Sequence, residues 1–325
     1  MASPILDVRE ISVEYLSRGE PARAVDQVSF ELMPGEFLGV VGESGCGKST
    51  LLFAIVQLLR APAVITGGEV IFKGTNMVQM SEKVLRAIRW RDYSIVMQSA
   101  MNALNPVTTI GAQYADALRA HQKISKEAIL DRSRQVFELV GIDPVHLGSF
   151  PHQLSGGMRQ RAMIAMALLF SPELIVMDEP TSALDVVAQR ALMVQIKELQ
   201  RELGFAVIFV THDMSLVSHF SDRLAVMYAG QFAELGATSS VFADPMHPYT
   251  AGLLDAFPSV YGPKVYLDGI PGAPPDLANP PRTCRFLARC PKAMTICAGP
   301  APEFYELAGR RVRCFLHDPA GGSDA

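Results

Sequence analysis

The chain has 325 residues, of which 49% are hydrophobic and 19% charged, and it carries a formal net charge of −4. That length allows about two domains, and the acidic balance excludes the broad cationic field on which nucleic-acid binding relies. The longest unbroken apolar run, Ala162 to Phe170, reaches about half of the roughly 20 residues of a membrane helix, and the opening MASPILDVRE lacks the charged and apolar regions of a signal peptide, so a cytosolic chain is expected.

Mean hydropathy is nevertheless +0.19, which reads either as a generous core or as a surface that docks on an apolar partner. From the N-terminus, apolar and polar residues alternate through Ile5, Val8, Ile11, Val13 and Tyr15, and again through Ala24, Val25, Val28, Phe30 and Leu32. This predicts antiparallel strands. After a turn at Pro34-Gly35, the continuous apolar run Phe37 to Val41 has the character of a strand buried on both faces. A glycine-rich loop and a helix from Lys48 follow. Further runs at Ser94 to Met97, Leu174 to Met177 and Ala206 to Val210 alternate with helical stretches, the rhythm of a parallel sheet covered by helices, so the predicted class is α/β. Thr109 to Val140 keeps helical spacing (Tyr114, Leu118, Ile129, Val136, Leu139, Val140) and predicts a helical insert over about 100–157. After Leu224 to Tyr228 and Phe232 to Leu235, seven prolines between Pro258 and Pro281 mark an extended connector. The predicted boundaries are a core over 1–237 and an extension over 238–325.

Gly42-Glu43-Ser44-Gly45-Cys46-Gly47-Lys48-Ser49 fits G-x-x-x-x-G-K-[ST], between a buried strand and a helix, where a phosphate cradle has to sit. The glycines free backbone N–H groups to surround a β-phosphate, Lys48 supplies a cation, the Ser49 hydroxyl suits Mg2+, and Thr50 adds a hydroxyl near an α-phosphate. Cys46 reads as a small filler within that loop. About 130 residues on, the apolar run from Leu174 ends in Asp178 and Glu179, one carboxylate to hold magnesium through water and one to polarise an attacking water. Gln98 and His212 end two further strand runs, and strand carboxyl ends in a parallel sheet converge on the ligand, so all four are expected to face one γ-phosphate, with Gln98 also near the metal.

With Leu154-Ser155-Gly156-Gly157-Met158 opening a helix, Ser182-Ala183-Leu184-Asp185 after the paired carboxylates and Val210-Thr211-His212-Asp213 at a strand end, the chain resembles the ABC ATPases, whose signature motif, D-loop and switch histidine these match in order. The resemblance implies a P-loop ATPase with an N-terminal antiparallel β-subdomain, a helical insert and two copies packed head to tail. ATP then lies between the P-loop of one copy and Ser155, Gly156 and Gly157 of the other, with Asp185 at the interface. A helix start with small residues suits an anion. Tyr15 matches the aromatic that stacks on adenine, although a strand tyrosine that merely packs reads nearly as well. Met158 stands where the general signature has glutamine.

Leu104-Asn105-Pro106, His247-Pro248-Tyr249-Thr250, Ile270-Pro271-Gly272, Pro274-Pro275 and the tail from Cys284-Arg285-Phe286 to Cys314 resemble the dipeptide and oligopeptide importers within that family. The resemblance implies an ATPase energising peptide uptake, on the cytoplasmic face of the cell membrane. Its implied partners are a second, related ATPase chain, two permeases and an extracytoplasmic solute-binding protein. Nickel or oligosaccharide cargo, a soluble ABC ATPase outside transport, and an exporter are the rival readings. Cys284, Cys290, Cys297 and Cys314 lack the tight C-x₂-C pairs of zinc sites; members of this branch carry a [4Fe–4S] cluster on such a tail, which the resemblance favours over zinc, with buried free thiols as the third reading. Arg285, Arg289, Arg310, Arg311 and Arg313 around them read either as offsetting the charge of such a cluster or as a solvated basic face.

Overall fold

A computed structural model describes residues 3–16, 20–98, 103–182, 184–256 and 269–319. Part of the proline connector (257–268), Ala183 of the D-loop and the end of the tail (320–325) therefore lie outside the described residues. Two compact units emerge, and the chain passes between them several times. One gathers Met1–Ile5, Leu32–Glu36 and Gln79–Phe209, the other Leu6–Glu31, Phe37–Val78 and Val210–Ala325.

The loop-bearing unit begins with β1 (Leu6–Tyr15) and β2 (Ala22–Leu32), then β3 (Phe37–Val41), α1 (Lys48–Ile55), β4 (Ala63–Phe72) and β5 (Thr75–Asn76). Strands β2, β1, β4 and β5 form one sheet in that order, with β1 antiparallel to β4. The alternation in β1 and β2 announces them. Strand β4 escapes the sequence reading because Gly67-Gly68 interrupts its apolar pattern, and opposite that pair the register slips between Arg9 and Ser12, as a bulge requires.

The insert-bearing unit contains α2 (Glu82–Ile88), β6 (Tyr93–Val96), α3 (Ile110–His121), α4 (Lys126–Leu139), α5 (Gly156–Ala167), β7 (Leu174–Asp178), α6 (Val186–Leu203) and β8 (Ala206–Val210). β6 and β7 run parallel, and every position of β7 and β8 is buried, which explains their unbroken apolar sequences. The predicted helical insert is present as α3 and α4. Thr109 and Ser125 cap these helices by accepting the N–H groups of Ala112 and Ala128, a cap typically contributing about 1 kcal/mol. Tyr114 meets Phe137 edge-on at 5.5 Å and donates its hydroxyl to the Ala162 carbonyl. From α4, Arg132 donates to the carbonyls of Leu168 and Leu169 at 2.7 Å each, satisfying groups that the end of α5 leaves without helical partners.

The loop-bearing unit resumes with α7 (Met214–Phe220), β9 (Arg223–Tyr228), β10 (Gln231–Ala237), α8 (Thr238–Ala243), α9 (Pro248–Asp255), β11 (Tyr305–Leu307) and β12 (Arg310–Val312). Here the strand order is β11, β12, β10, β9, β3; β3 and β9 are parallel, and the rest pair antiparallel. A carboxylate inside this layer organises the chain after β10. Glu234 is 0% exposed, and it accepts the N–H groups of Met246 at 3.1 Å and His247 at 3.0 Å, while the Arg310 guanidinium lies 3.7 Å away. Fixed in this way, His247 starts α9, and its Nδ1 accepts the Tyr249 N–H at 3.0 Å.

Burial, with His317 nearby as a second cause, pushes the His247 pKa down to about 3, so the native ring is neutral. Unfolded histidine titrates near 6.5; between those values the unfolded chain binds the extra proton, and stability is lost as pH falls. From pH 7 to pH 5 the wild-type chain is expected to lose about 1–2 kcal/mol more than His247→Asn, measured by urea unfolding of both. Equal losses in the two proteins would contradict a buried neutral imidazole.

Candidate functional site

In the loop-bearing unit, β3 leads into a loop whose backbone only glycine tolerates at two points. Gly42 has φ +155° and Gly47 +108°. A Cβ on the first would fall onto the Met227 carbonyl oxygen, and on the second onto that of Ala24. Ser44 and Gly45 form the exposed lip between them. Lys48 is only 7% exposed, and its ammonium donates to the carbonyls of Gly42 at 2.7 Å and Glu43 at 2.9 Å. Cys46 lies 3.7 Å from that ammonium, yet burial outweighs the nearby cation and raises its thiol pKa, in keeping with a filler. Tyr15 and Thr50 join hydroxyl to hydroxyl at 3.0 Å, so the end of β1 is tied to the first turn of α1, where Ser49 also lies.

The insert-bearing unit holds the carboxylates. Asp178, 3% exposed, ends β7, and Glu179 turns the chain with φ +44°, a region that costs a non-glycine residue about 1–2 kcal/mol and persists where surrounding structure imposes it. The kink sends Glu179 to Gln98, whose side-chain amide donates to its carboxylate at 3.0 Å, so these two predicted residues meet. Ser155 caps α5 by accepting the Met158 N–H at 3.2 Å, with Gly156 and Gly157 as the first helical residues. Asp185 caps α6 in the same way through Ala188 at 2.9 Å.

His212 belongs to the loop-bearing unit and is exposed. It stands between Thr211, whose N–H donates to the Val40 carbonyl at 3.2 Å, and Asp213, which caps α7 through Ser215 and Leu216. A cavity of about 820 Å3 in the same unit, lined by Arg23, Asp26, Arg282 and Arg285 among others, borders none of these residues, so volume alone points away from them.

The tail departs from the sequence reading. All five cysteines are free thiols, and among the described residues no three His, Cys, Asp or Glu side chains are set to hold a metal ion. The expected [4Fe–4S] cluster on Cys284, Cys290, Cys297 and Cys314, and zinc as its rival, are not supported. The thiols do share a neighbourhood: Cys284 donates its N–H to the Cys297 carbonyl at 3.3 Å. Burial first, and the other thiols after it, push Cys314 up to about 11 and also raise Cys284 and Cys290.

The surrounding arginines do not form a solvated basic face. Arg285 pairs with Asp26, Arg310 with Asp244 and Glu234, and Arg311 lies over the Phe304 ring at 4.4 Å. Arg313 donates to the Pro302 carbonyl at 3.2 Å. Arg289 grips Glu43 with two hydrogen bonds, at 2.8 and 2.9 Å. Sequence reasoning missed this last pair, and also Tyr249, whose hydroxyl accepts the Glu43 N–H at 2.9 Å.

Comparison with known proteins gives a consistent result. The ABC transporter family model matches residues 25–182, and that of the oligopeptide/dipeptide transporter C-terminal region matches 233–297. Similar proteins include the dipeptide transport ATP-binding protein DppD of Bacillus subtilis (strain 168), 43% identical over 97% of this chain and 95% of its own length. The oligopeptide transport ATP-binding protein OppD of the same organism is 41% identical over 97% of this chain and 89% of its own. Among solved structures, the dimeric post-hydrolysis state of the ATP-binding cassette MJ0796 bound to ADP and Pi covers 72% of this chain and 98% of that one, with TM-score 0.64 and 28% identity.

The walls of the loop differ in a measurable way. Gly42→Ala is expected to cost about 3 kcal/mol by urea unfolding, because it adds a carbonyl clash to a backbone reserved for glycine, and Gly45→Ala only about 1 kcal/mol, since its added carbon meets nothing within 4 Å. Equal costs would mean that the Met227 wall does not confine the loop.

Proposed function

This chain belongs to the ABC transporter family, and on that footing we propose that it is the ATP-hydrolysing subunit of an importer of dipeptides or oligopeptides. The observation that carries the ATPase reading is the glycine-confined loop with a nearly buried lysine ammonium resting on two loop carbonyls. A triphosphate offers that cation stronger, charged oxygen ligands, so Lys48 leaves the carbonyls of Gly42 and Glu43 for the β/γ-phosphate oxygens as ATP enters, while loop N–H groups surround the β-phosphate.

The other roles follow from chemistry and position. Ser49 and Asp178 suit Mg2+, which binds through few protein groups plus phosphate oxygens and supplies charge neutralisation when bound. Gln98 holds the carboxylate of Glu179 and would be a further group for Mg2+, Glu179 would be the general base, and His212 would contact the γ-phosphate. Tyr15 stacks on adenine, and Thr50 lies near the α-phosphate. Ser155, Gly156 and Gly157 start a helix whose N-terminus suits the γ-phosphate of a partner's nucleotide, with Asp185 beside it. The dimeric state of MJ0796 with ADP and Pi supports a paired ATPase.

Peptide cargo is supported by the relatives named for dipeptide and oligopeptide transport and by the matched C-terminal region, which favour it over nickel, oligosaccharide or non-transport readings. Among the described residues no helix is long and apolar enough to cross a membrane. We assign the chain to the cytoplasmic face of the membrane, held by two permeases that dock near the Gln98 loop and the helical insert and are supplied by an extracytoplasmic solute-binding protein. A second, related ATPase completes the pair, and this chain divides into a nucleotide-binding domain over 1–237 and a C-terminal extension over 238–325. ATP binding closes the pair and hydrolysis releases it, a population shift driven by nucleotide.

Glu179→Gln is expected to lower ATP turnover of the assembled transporter by about two to four orders of magnitude while leaving nucleotide affinity unchanged. Turnover at the wild-type rate would remove Glu179 from the role of base.

A further inference from the structure

The C-terminal extension holds one residue of the phosphate loop, Glu43, at two points. The Arg289 side chain is 4% exposed, and its guanidinium gives two hydrogen bonds to the Glu43 carboxylate, at 2.8 and 2.9 Å. The same guanidinium donates to the Tyr228 hydroxyl at 3.3 Å and to the carbonyls of Pro271 at 2.8 Å and Ile270 at 3.1 Å, so its orientation is fixed from several sides. A fork of this kind is directional as well as strong, which a lysine in its place would not reproduce.

The second point is the Tyr249 hydroxyl, which accepts the Glu43 N–H at 2.9 Å. Tyr249 is itself wholly buried, packed 4.5 Å from Tyr228 and 5.5 Å from Phe286 between ring centroids. Upstream, Glu234 and His247 fix the start of its helix. The third polar group of Glu43, its carbonyl, is one of the two oxygens on which the Lys48 ammonium rests, at 2.9 Å. Carboxylate, N–H and carbonyl of a single loop residue are thus all committed, two of them to the extension and one to the lysine that meets the phosphates.

We propose that Arg289 is a positioning residue for nucleotide binding: by fixing Glu43 together with Tyr249, it sets the conformation of the phosphate loop and the resting place of Lys48, and so makes the extension part of the ATP site. This rests on the reading that the loop binds ATP. The extension then influences ATP affinity without touching the nucleotide, and a change in its fold is transmitted to Lys48 through a chain of three hydrogen-bonded groups.

The test is steady-state ATP hydrolysis by the assembled transporter carrying Arg289→Ala, Arg289→Lys, Glu43→Gln, or Arg289→Ala with Glu43→Gln, each with its melting temperature. Arg289→Ala is expected to raise KM for ATP by about fivefold or more with kcat changed less than about threefold, and Arg289→Lys to fall between it and wild type. In the Glu43→Gln background, Arg289→Ala is expected to add little, because the coupling it removes is already gone. Should Arg289→Ala fail to fold, Glu43→Gln reads the same clamp from the loop side and is expected to raise KM similarly. A lowered melting temperature with KM within about twofold of wild type, or the same increment of KM in both backgrounds, would overturn the proposal. Absence of Mg-ATP hydrolysis and binding in the wild-type assembly would instead sink the ATPase reading itself.

Discussion

A lysine ammonium that is nearly buried must be met by oxygen, because an unsolvated cation in a protein interior costs several kcal/mol. In this chain the first oxygens are carbonyls of its own loop, those of Gly42 and Glu43. The loop presents them because two glycines adopt conformations closed to other residues and because the Met227 and Ala24 carbonyls stand where side chains would be. Neutral carbonyls satisfy the cation but hold it less strongly than phosphate oxygens would. The resting site is therefore complete in itself, and on the proposed reading it is exchanged for a better one when a triphosphate arrives.

The surrounding structure keeps that loop in register. Buried β3 fixes its start and α1 its end, Tyr15 anchors Thr50, and Glu43 is held by Tyr249 and Arg289. The insert-bearing unit, taken by itself, holds a kinked strand end that delivers Glu179 to Gln98 and two capped helices beginning at Gly156 and Val186. A general base needs a carboxylate whose orientation is imposed by a neighbour, which is the role proposed for Glu179.

Local signals carried most of this into the sequence. The phosphate loop was legible because its glycines and lysine fall between an apolar run and a helix, and Ser155 was legible as a polar residue at a helix start, whereas Asp185 and Asp213 were read only as parts of motifs and their capping of α6 and α7 is seen in the structure. Strand β4 was hidden by the glycines of its bulge, and the short β11–β12 hairpin carries too few residues to make a pattern. Contacts across the chain left no local trace. Glu43 and Arg289 are 246 residues apart, and His247-Pro248-Tyr249 stood out as a segment without disclosing that its tyrosine meets the loop. The cysteine tail is a different case: its metal centre came from the resemblance rather than from spacing, and among the described residues no three such side chains are grouped to support it.

The account turns on Lys48 exchanging loop carbonyls for phosphate oxygens. Calorimetric titration of the purified assembly with Mg-ATP, wild type against Lys48→Ala, addresses this most directly. Saturable binding that the substitution weakens by about a hundredfold or more, the scale of a lost charge-assisted contact in a confined site, is the result expected. Equal affinity in the two proteins would contradict it.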